Sequence, residues 1–527
     1  MQLIAETRST EDNRIDSLFE APRSFFEALI EPKISPLISR LSQFFENQNI
    51  PAYIVGGFVR DMLLERNTAD IDIVVSADAL EVARQVANEF NGKYFPLDRE
   101  NRIARVIIAA KVDSPSSVTV ELDFSTLYGS IHEDLGERDF TINAMAIQMK
   151  CFSDRETSPA IIDPFQGQKD LREGIIRAVK DSIFKMDAVR LMRCIRLSHE
   201  LDFAIECETE AIIRRDSHLI SGVAGERIRE ELLLLFAGNE TEAALHYLDN
   251  LGLLTAMVPE LAMEKGVQQP PEHFWDVFEH SLKTVSAVDF VLRRGSWDYA
   301  GSDYLDMIPW STELASHFDT EISRGSNRST LLKIAAILHD IAKPQTRVID
   351  DQGRMRFLGH AIEGAALSRD ILERFRFSNR EIGQVETIVK HHLRPTQLSQ
   401  SGVLPTKRAI YRFFRDTGNC GIDILFLSLA DHLATRGPAI KVEGWQEHTR
   451  LVDYVLASRF EQESLPPSKF LLDGNDLINI FHLKPGPQIG KILEMVREAY
   501  ADGSIRTREE ALCYVRKQLE HNIELKW

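Results

Sequence analysis

The chain has 527 residues, 44% of them hydrophobic, and a formal net charge of −18 from 62 Lys and Arg against 80 Asp and Glu. This length exceeds what one hydrophobic core serves, so several globular domains are expected. The acidic balance excludes a uniformly basic surface, and any nucleic acid must be met by local Lys and Arg patches.

The start "MQLIAETRSTEDNRIDSLFE" has no basic segment leading into an apolar core, and no later stretch is apolar enough to span a bilayer. A cytoplasmic protein without membrane association is expected. Cys151, Cys194, Cys207, Cys420 and Cys513 never form a CxxC and read as five small buried residues. Neither a Walker A lysine loop nor a dinucleotide glycine fingerprint follows a predicted strand.

After an N-terminal segment (1–34), predicted strands cluster early: "AYIVGG", "DIDIVVS", "RIARVIIAAK", "SVTVELDFS" and "NAMAIQM" carry β-branched or alternating apolar residues, with helical patterns between them. On a strand, residues i and i+2 share a face, so Asp70 and Asp72 place two carboxylates together while Ile71 and Ile73 point to the core. Such oxygens suit Mg²⁺, and paired ions of this kind serve phosphoryl or nucleotidyl transfer. A third carboxylate is expected from "VTVELDFST": Asp123, with Glu121 of the same face as the runner-up. Gly56 and Gly57 let backbone approach a phosphate at a strand-to-helix turn, and Arg60 lies one turn into the helix.

From about residue 180 the periodicity becomes helical, as in "DAVRLMRCIRLSHELDF" and "ERIREELLLLF". Residues 293–330 are rich in Gly, Ser and Pro and read as a long loop or insertion. Around it lie "FEHSLK", "AAILHDIAKP", "LGHAIEGA", "VKHHLRP" and "SLADHLATRGP", which offer His280, His339, Asp340, His360, His391, His392 and Asp431. Imidazole and carboxylate together suit a divalent transition metal or Mg²⁺ in a hydrolytic centre. "RFEQESLPPSKF" reads as a linker. In the tail, "LKPGPQIGK" is a tight turn opening a helix, where Lys484, Lys491 and exposed amides could receive a phosphate; an ordinary loop and N-cap explains the spacing equally well.

"GGFVRDMLL", "ADIDIVV", "EDLGERDFTINAMAI" and "DAVRLMRCIRL" resemble the successive motifs of class II tRNA nucleotidyltransferases and the related bacterial poly(A) polymerases, of the polymerase β superfamily. The resemblance runs over about residues 35–260, and "LLDGNDLINIFHLKPGPQIGKILEMVREAYADG" resembles the tail of long bacterial members. It implies an α+β architecture: a mixed α/β head (35–178), a helical neck and RNA-binding body (179–265), an all-helical HD domain (266–455) and a helical tail (456–527). It further implies that Asp70 and Asp72 hold Mg²⁺, that Gly57 and Arg60 contact the triphosphate, and that Arg138, Asp139 and Asn143 hold the ribose and triphosphate. Asp187 and Arg190 would read the base from one helix face. Cytosine and adenine each offer an amine to a carboxylate and a ring-nitrogen acceptor to a guanidinium, whereas uracil and guanine present the reverse. Arg193 and Arg196 continue that face, either to reach phosphates or as a solvated basic face.

Two departures from the family pattern stand out. Met186 precedes Asp187 where many members have an acidic residue, and only "YGSIH" (128–132) separates Leu127 from Glu133 and Asp134. The short connection resembles enzymes that add only two cytidines. The histidine set resembles the HD phosphohydrolase domain, implying His280, His339, Asp340 and Asp431 as first ligands, with His360 and one of His391 and His392 at a second position. A cyclic 2′,3′-phosphate or terminal phosphate of damaged RNA is the logical substrate there. The expected partners are tRNA, CTP and ATP, with a poly(A) polymerase, or an HD phosphohydrolase bearing an RNA-binding head, as the alternatives. Nothing in the sequence sets the oligomeric state.

Overall fold

The computed structural model describes residues 34–110, 118–152, 160–399, 403–463 and 471–521. The chain forms two compact units, the first ending at Val223 and the second beginning at Ala224. Nearly all of the N-terminal segment and the second half of the "RFEQESLPPSKF" stretch lie outside the described residues.

In the first unit, helix α1 (Ser35–Asn47) leads into β1 (Ala52–Val55), α2 (Gly57–Leu63), β2 (Asp70–Val75), α3 (Ala79–Glu89), β3 (Lys93–Asp98), β4 (Ile103–Ala110), β5 (Val118–Thr126), α4 (Ile131–Gly136), β6 (Ala146–Gln148) and β7 (Ile161–Ile162). These strands make one sheet in the order β3-β4-β5-β2-β1-β6-β7. Only the central β2–β5 pair is parallel; its neighbours are antiparallel. All five predicted strands are present. β3 and β7 were not legible: β3 contains Pro96 and is mostly exposed, as suits an edge, and β7 has two residues. Alternation works as read, with Ile71, Ile73, Val120, Leu122 and Phe124 fully buried on one face. The opposite face therefore collects the carboxylates. Two short helices, α5 (Ile183–Met186) and α6 (Arg190–Leu201), follow.

The second unit is helical, including α7 (Gly225–Ala237), α8 (Val277–Val291), α9 (Arg328–Leu338), α10 (His360–Arg374), α11 (Asn379–His391), α12 (Gly421–Arg436) and α13 (Val442–Glu463). Helix α8 packs on α9 and α12, and α11 on α9 and α10. Several expectations are corrected here. The 293–330 stretch contains helices Ser302–Leu305 and Thr312–Asp319 and a ribbon of Glu321–Ser323 with Ser326–Asn327. A second ribbon pairs Arg347–Ile349 with Met355–Phe357; such short hairpins leave little periodic signal. Helix α13 runs through "RFEQE", which is therefore not linker. Of the cysteines, only Cys194 and Cys420 are buried, whereas Cys207 and Cys513 are exposed and Cys151 is partly so. Among the described residues no helix is long and apolar enough to cross a membrane.

One ion pair is sealed in the second unit. Lys333 on α9 pairs with Asp289 on α8, both side chains 1% exposed, and its ammonium also donates to Gly238 O at 2.5 Å and Thr241 Oγ1 at 3.1 Å. Removing one partner strands a buried charge, so Lys333→Met is expected to cost about 3–5 kcal/mol, read as a lower urea midpoint. The double variant with Asp289→Asn should recover part of the loss.

Candidate functional site

The first constellation is built by sheet register. Asp70 of β2 lies beside Glu121 of β5, and Asp72 beside Asp123, so four carboxylates share one face at adjoining strands. Desolvation and the neighbouring Asp72 and Asp123 carboxylates push Asp70 up to about 6. Burial likewise raises Asp72, against the lowering influence of Arg138. Carboxylates crowded beyond what local cations neutralise are the donor set a divalent cation relieves, so these residues fit Mg²⁺.

Arg105, which sequence reasoning missed, comes from β4. Its Nε and Nη2 each donate at 2.7 Å to one oxygen of Asp123, and its Nη1 donates to Glu121. Both candidates for the third carboxylate are thus brought to the site but engaged by one guanidinium. Arg105 faces Asp123 across the β4–β5 ladder, a relation that only the register reveals.

Gly56 joins β1 to α2 with φ of 74°, a left-handed conformation that glycine adopts without strain. A Cβ there would stand 2.9 Å from Arg138 Nη1 and 3.0 Å from Asp72 Oδ2. The glycine therefore lets backbone, carboxylate and guanidinium converge. Arg60 is buried, donating through Nη1 to Asn143 Oδ1 at 2.9 Å and through Nε and Nη2 to Asp61 at 2.8 and 2.9 Å. Asn143 Nδ2 donates to Asp139 Oδ1 at 3.1 Å, and Arg193 Nη1 donates to Asp139 Oδ2 at 3.2 Å. Burial pushes the Asp139 carboxyl up, but Arg193, Asn143 and the Phe140 amide outweigh it and hold it below the usual range. One chain of contacts thus links Arg60, Asn143, Asp139 and Arg193.

Asp187 and Arg190 do not share a helix as expected. Asp187 is extended, with φ −153° and ψ 99°, in the joint after α5, and Arg190 begins α6. They nevertheless meet, Arg190 Nε standing 3.8 Å from Asp187 Oδ2. Arg190 Nη2 donates to Glu137 O at 3.0 Å, while its Nη1 is buried without a hydrogen-bond partner in the described structure. Arg196, whose side chain is 14% exposed, pairs with Glu200 at 2.7 Å along α6. Met186, the departure beside Asp187, is 48% exposed.

The second constellation lies among α8, α9, α10, α11 and α12. Nε2 of His280 stands 3.3 Å from Nε2 of His339, 3.4 Å from Asp340 Oδ2 and 3.2 Å from Asp431 Oδ1. His339 Nε2 is 3.1 Å from Asp340 Oδ2. On the other side of the same carboxylate, Asp340 Oδ1 faces His360 Nε2 at 3.4 Å and His392 Nε2 at 3.8 Å. His339, His360 and His392 direct Nδ1 at backbone oxygens three residues earlier, at 2.7, 2.8 and 2.6 Å. Those contacts assign a proton to Nδ1 and aim Nε2 at the carboxylates, the edge that metal-ligating histidines present. Burial pushes His392 down to about 3, so its ring is neutral at physiological pH. Asp340 is held well below the usual range by His339 and Lys343 despite its burial.

His280, His339 and Asp340 form one group that could hold a metal ion, and Asp340, His360 and His392 an adjoining one, with Asp431 Oδ1 beside the first at 3.2 Å from His280 Nε2. His392, rather than His391, joins the second; His391 is only partly buried and belongs to neither. Sequence reasoning missed His273, whose ring centre lies 5.5 Å from that of His280, and Lys343, whose ammonium touches Asp340. Lys343 follows Asp340 by three residues across the turn between α9 and the short helix Lys343–Thr346, a spacing visible in "HDIAKP".

Comparison with known proteins places these sites in a family. A poly A polymerase head domain matches residues 52–177, and a probable RNA and SrmB-binding site of polymerase A matches 202–264. An HD domain matches 310–436 and a tRNA nucleotidyltransferase domain 2 matches 466–515. The A-adding tRNA nucleotidyltransferase of Deinococcus radiodurans is 31% identical, over 89% of this chain and 96% of its own. The CC-adding tRNA nucleotidyltransferase of Thermus thermophilus is 28% identical, over 88% of this chain and 93% of its own. The fold is shared with the Thermotoga maritima CCA-adding enzyme solved with tRNA, at 23% identity and a TM-score of 0.60, covering 95% of this chain and 99% of that one. A head with paired strand carboxylates, an HD domain, and a relative of this identity matched along nearly its whole length together make the chain a nucleotidyltransferase of the tRNA nucleotidyltransferase and poly(A) polymerase family.

Proposed function

We propose that the protein adds the two cytidines of the CCA end to tRNA, using CTP and releasing pyrophosphate. The observation that carries the choice of CC is the connection from β5 to α4. It consists of residues 127–130 only, and Ser130 and Glu133 close it as a reciprocal capping box. A strand and helix joined this tightly leave no room for the longer loop that resemblance associates with adding the final adenosine. A second reading, addition of the terminal A alone, is favoured by the 31% identity to the A-adding enzyme of Deinococcus radiodurans.

Asp70 and Asp72 would hold Mg²⁺, with Asp123 beside them. When bound, Mg²⁺ neutralises charge developing on the triphosphate. The protein's own groups do the rest. The linked set of Arg60, Asn143, Asp139 and Arg193 fixes the pocket floor, and Gly56 brings Arg138 against Asp72. Arg190 Nη1 can donate to a ring nitrogen while Asp187 accepts from the exocyclic amine, a pattern cytosine and adenine satisfy. In the second unit, His280, His339, Asp340 and Asp431 would hold one divalent ion and His360, His392 and Asp340 another. Such ions supply Lewis acidity for phosphoester hydrolysis at a damaged RNA 3′ end.

The CC and A readings separate on two tRNA substrates, one ending at the discriminator base and one already carrying CC. Addition from CTP to the first with no reaction on the second supports CC addition; use of ATP on the second alone replaces it with the A-adding reading. For the second unit, tRNA bearing a 2′,3′-cyclic phosphate should be opened by the wild type and persist with His339→Ala. Equal opening by both removes that activity from the site.

A further inference from the structure

The proposed metal centre leaves one buried cation without a role. Lys343 Nζ is 2.5 Å from Asp340 Oδ2 and 2.6 Å from Gln269 Oε1, with the Phe357 ring centre 5.5 Å away, and the residue is 6% exposed. Asp340 Oδ2 is also the oxygen that faces His280 and His339, at 3.4 and 3.1 Å. The opposite oxygen, Oδ1, faces His360 at 3.4 Å and His392 at 3.8 Å. An ammonium and a divalent ion at the His280 side would thus compete for the same lone pairs.

We propose that Lys343 is a resident counter-cation of the His280, His339, Asp340 and Asp431 position, so that divalent-ion loading there is a cation exchange. Charge explains the arrangement: Asp340 is buried, and without a cation its carboxylate would carry the full desolvation penalty. Gln269 holds the ammonium in place through an acceptor that carries no charge of its own, so Lys343 can be released without leaving a second anion behind. The consequence is that Lys343 sets the metal affinity of that position.

This inference rests on the proposed metal centre, and the test separates the two. Full-length protein stripped with chelator is titrated with Mn²⁺, with bound ion read from the loss of the free-ion paramagnetic signal and folding checked by thermal melting. The His360→Ala background isolates the first position. There, Lys343→Met is expected to tighten Mn²⁺ binding by about tenfold or more, because exchange is replaced by simple binding. Gln269→Leu keeps every charge and removes only the acceptor that anchors the ammonium, so it should tighten binding several-fold. Folded variants that bind Mn²⁺ no more tightly than their parent overturn the counter-cation role while leaving the metal centre standing. Absence of Mn²⁺ binding in the wild type and in all variants overturns both.

Discussion

Asp72→Asn is expected to lower nucleotide incorporation about 10³-fold or more, with the fold unharmed. A factor of 10³ corresponds to about 4 kcal/mol of lost transition-state stabilisation, within reach of removing one charged ligand from a divalent-ion site. The fold should survive because the partly buried carboxylate sits among like charges and is held above its usual pKa. A folded-state pKa raised above the unfolded value means the native protein binds the proton more tightly. Stability is therefore lost as pH rises through the folded value, and the ionised group opposes folding at neutral pH. In the absence of Mg²⁺, Asp72→Asn should melt no lower than wild type at pH 7, and the stabilisation that Mg²⁺ gives the wild type should shrink. For Asp70, pushed up to about 6, the same sign predicts that metal-free wild type loses stability between about pH 4 and pH 6, and that Asp70→Asn flattens this slope. An incorporation rate near wild type in Asp72→Asn would show that the strand carboxylates are not the reacting centre.

Arg190→Ala should reduce kcat/KM for the correct nucleotide about 10²-fold and, more tellingly, collapse its preference over UTP and GTP. Its Nη1 is a buried donor without a partner, while Nη2 is fastened to Glu137 O at 3.0 Å. The guanidinium is thereby held still with one donor unspent. A site that supplies a fixed donor rejects a base presenting N–H at the same point far more strongly than shape alone can, because both donors would be left unpaired. Removing it lifts the penalty on the wrong base as well as the gain from the right one. A variant that lost rate but retained full discrimination would assign base selection elsewhere, with exposed Met186 beside Asp187 as the next position to change.

How much of this was legible beforehand depended on whether a feature was local. The alternation in "DIDIVV" specified both the buried Ile71 and Ile73 and the paired Asp70 and Asp72, because a strand's two faces are written into every second residue. Arg105 escaped because its role depends on which residues of β5 lie opposite β4, and register is fixed by the assembled sheet. The Asp187–Arg190 pair was legible as a pair but not as a geometry: the chain bends between α5 and α6, and the two meet across the bend instead of along one face. In the second unit the histidines were visible one by one. Their division into two groups sharing Asp340, and the choice of His392 over His391, came from helix packing that no local pattern records. Cys207 and Cys513 were misjudged because composition speaks to the typical cysteine, not to these helix positions.

The most direct test of the central claim, that this protein selects its nucleotide from its own side chains and counts its additions, is gel-resolved extension of a tRNA ending at the discriminator base, with Mg²⁺ and each nucleoside triphosphate alone and all together. Growth by two residues is expected with CTP, the same two with the full mixture, and none with UTP or GTP. A long adenosine ladder from ATP with no use of CTP would contradict that claim and make the protein a poly(A) polymerase.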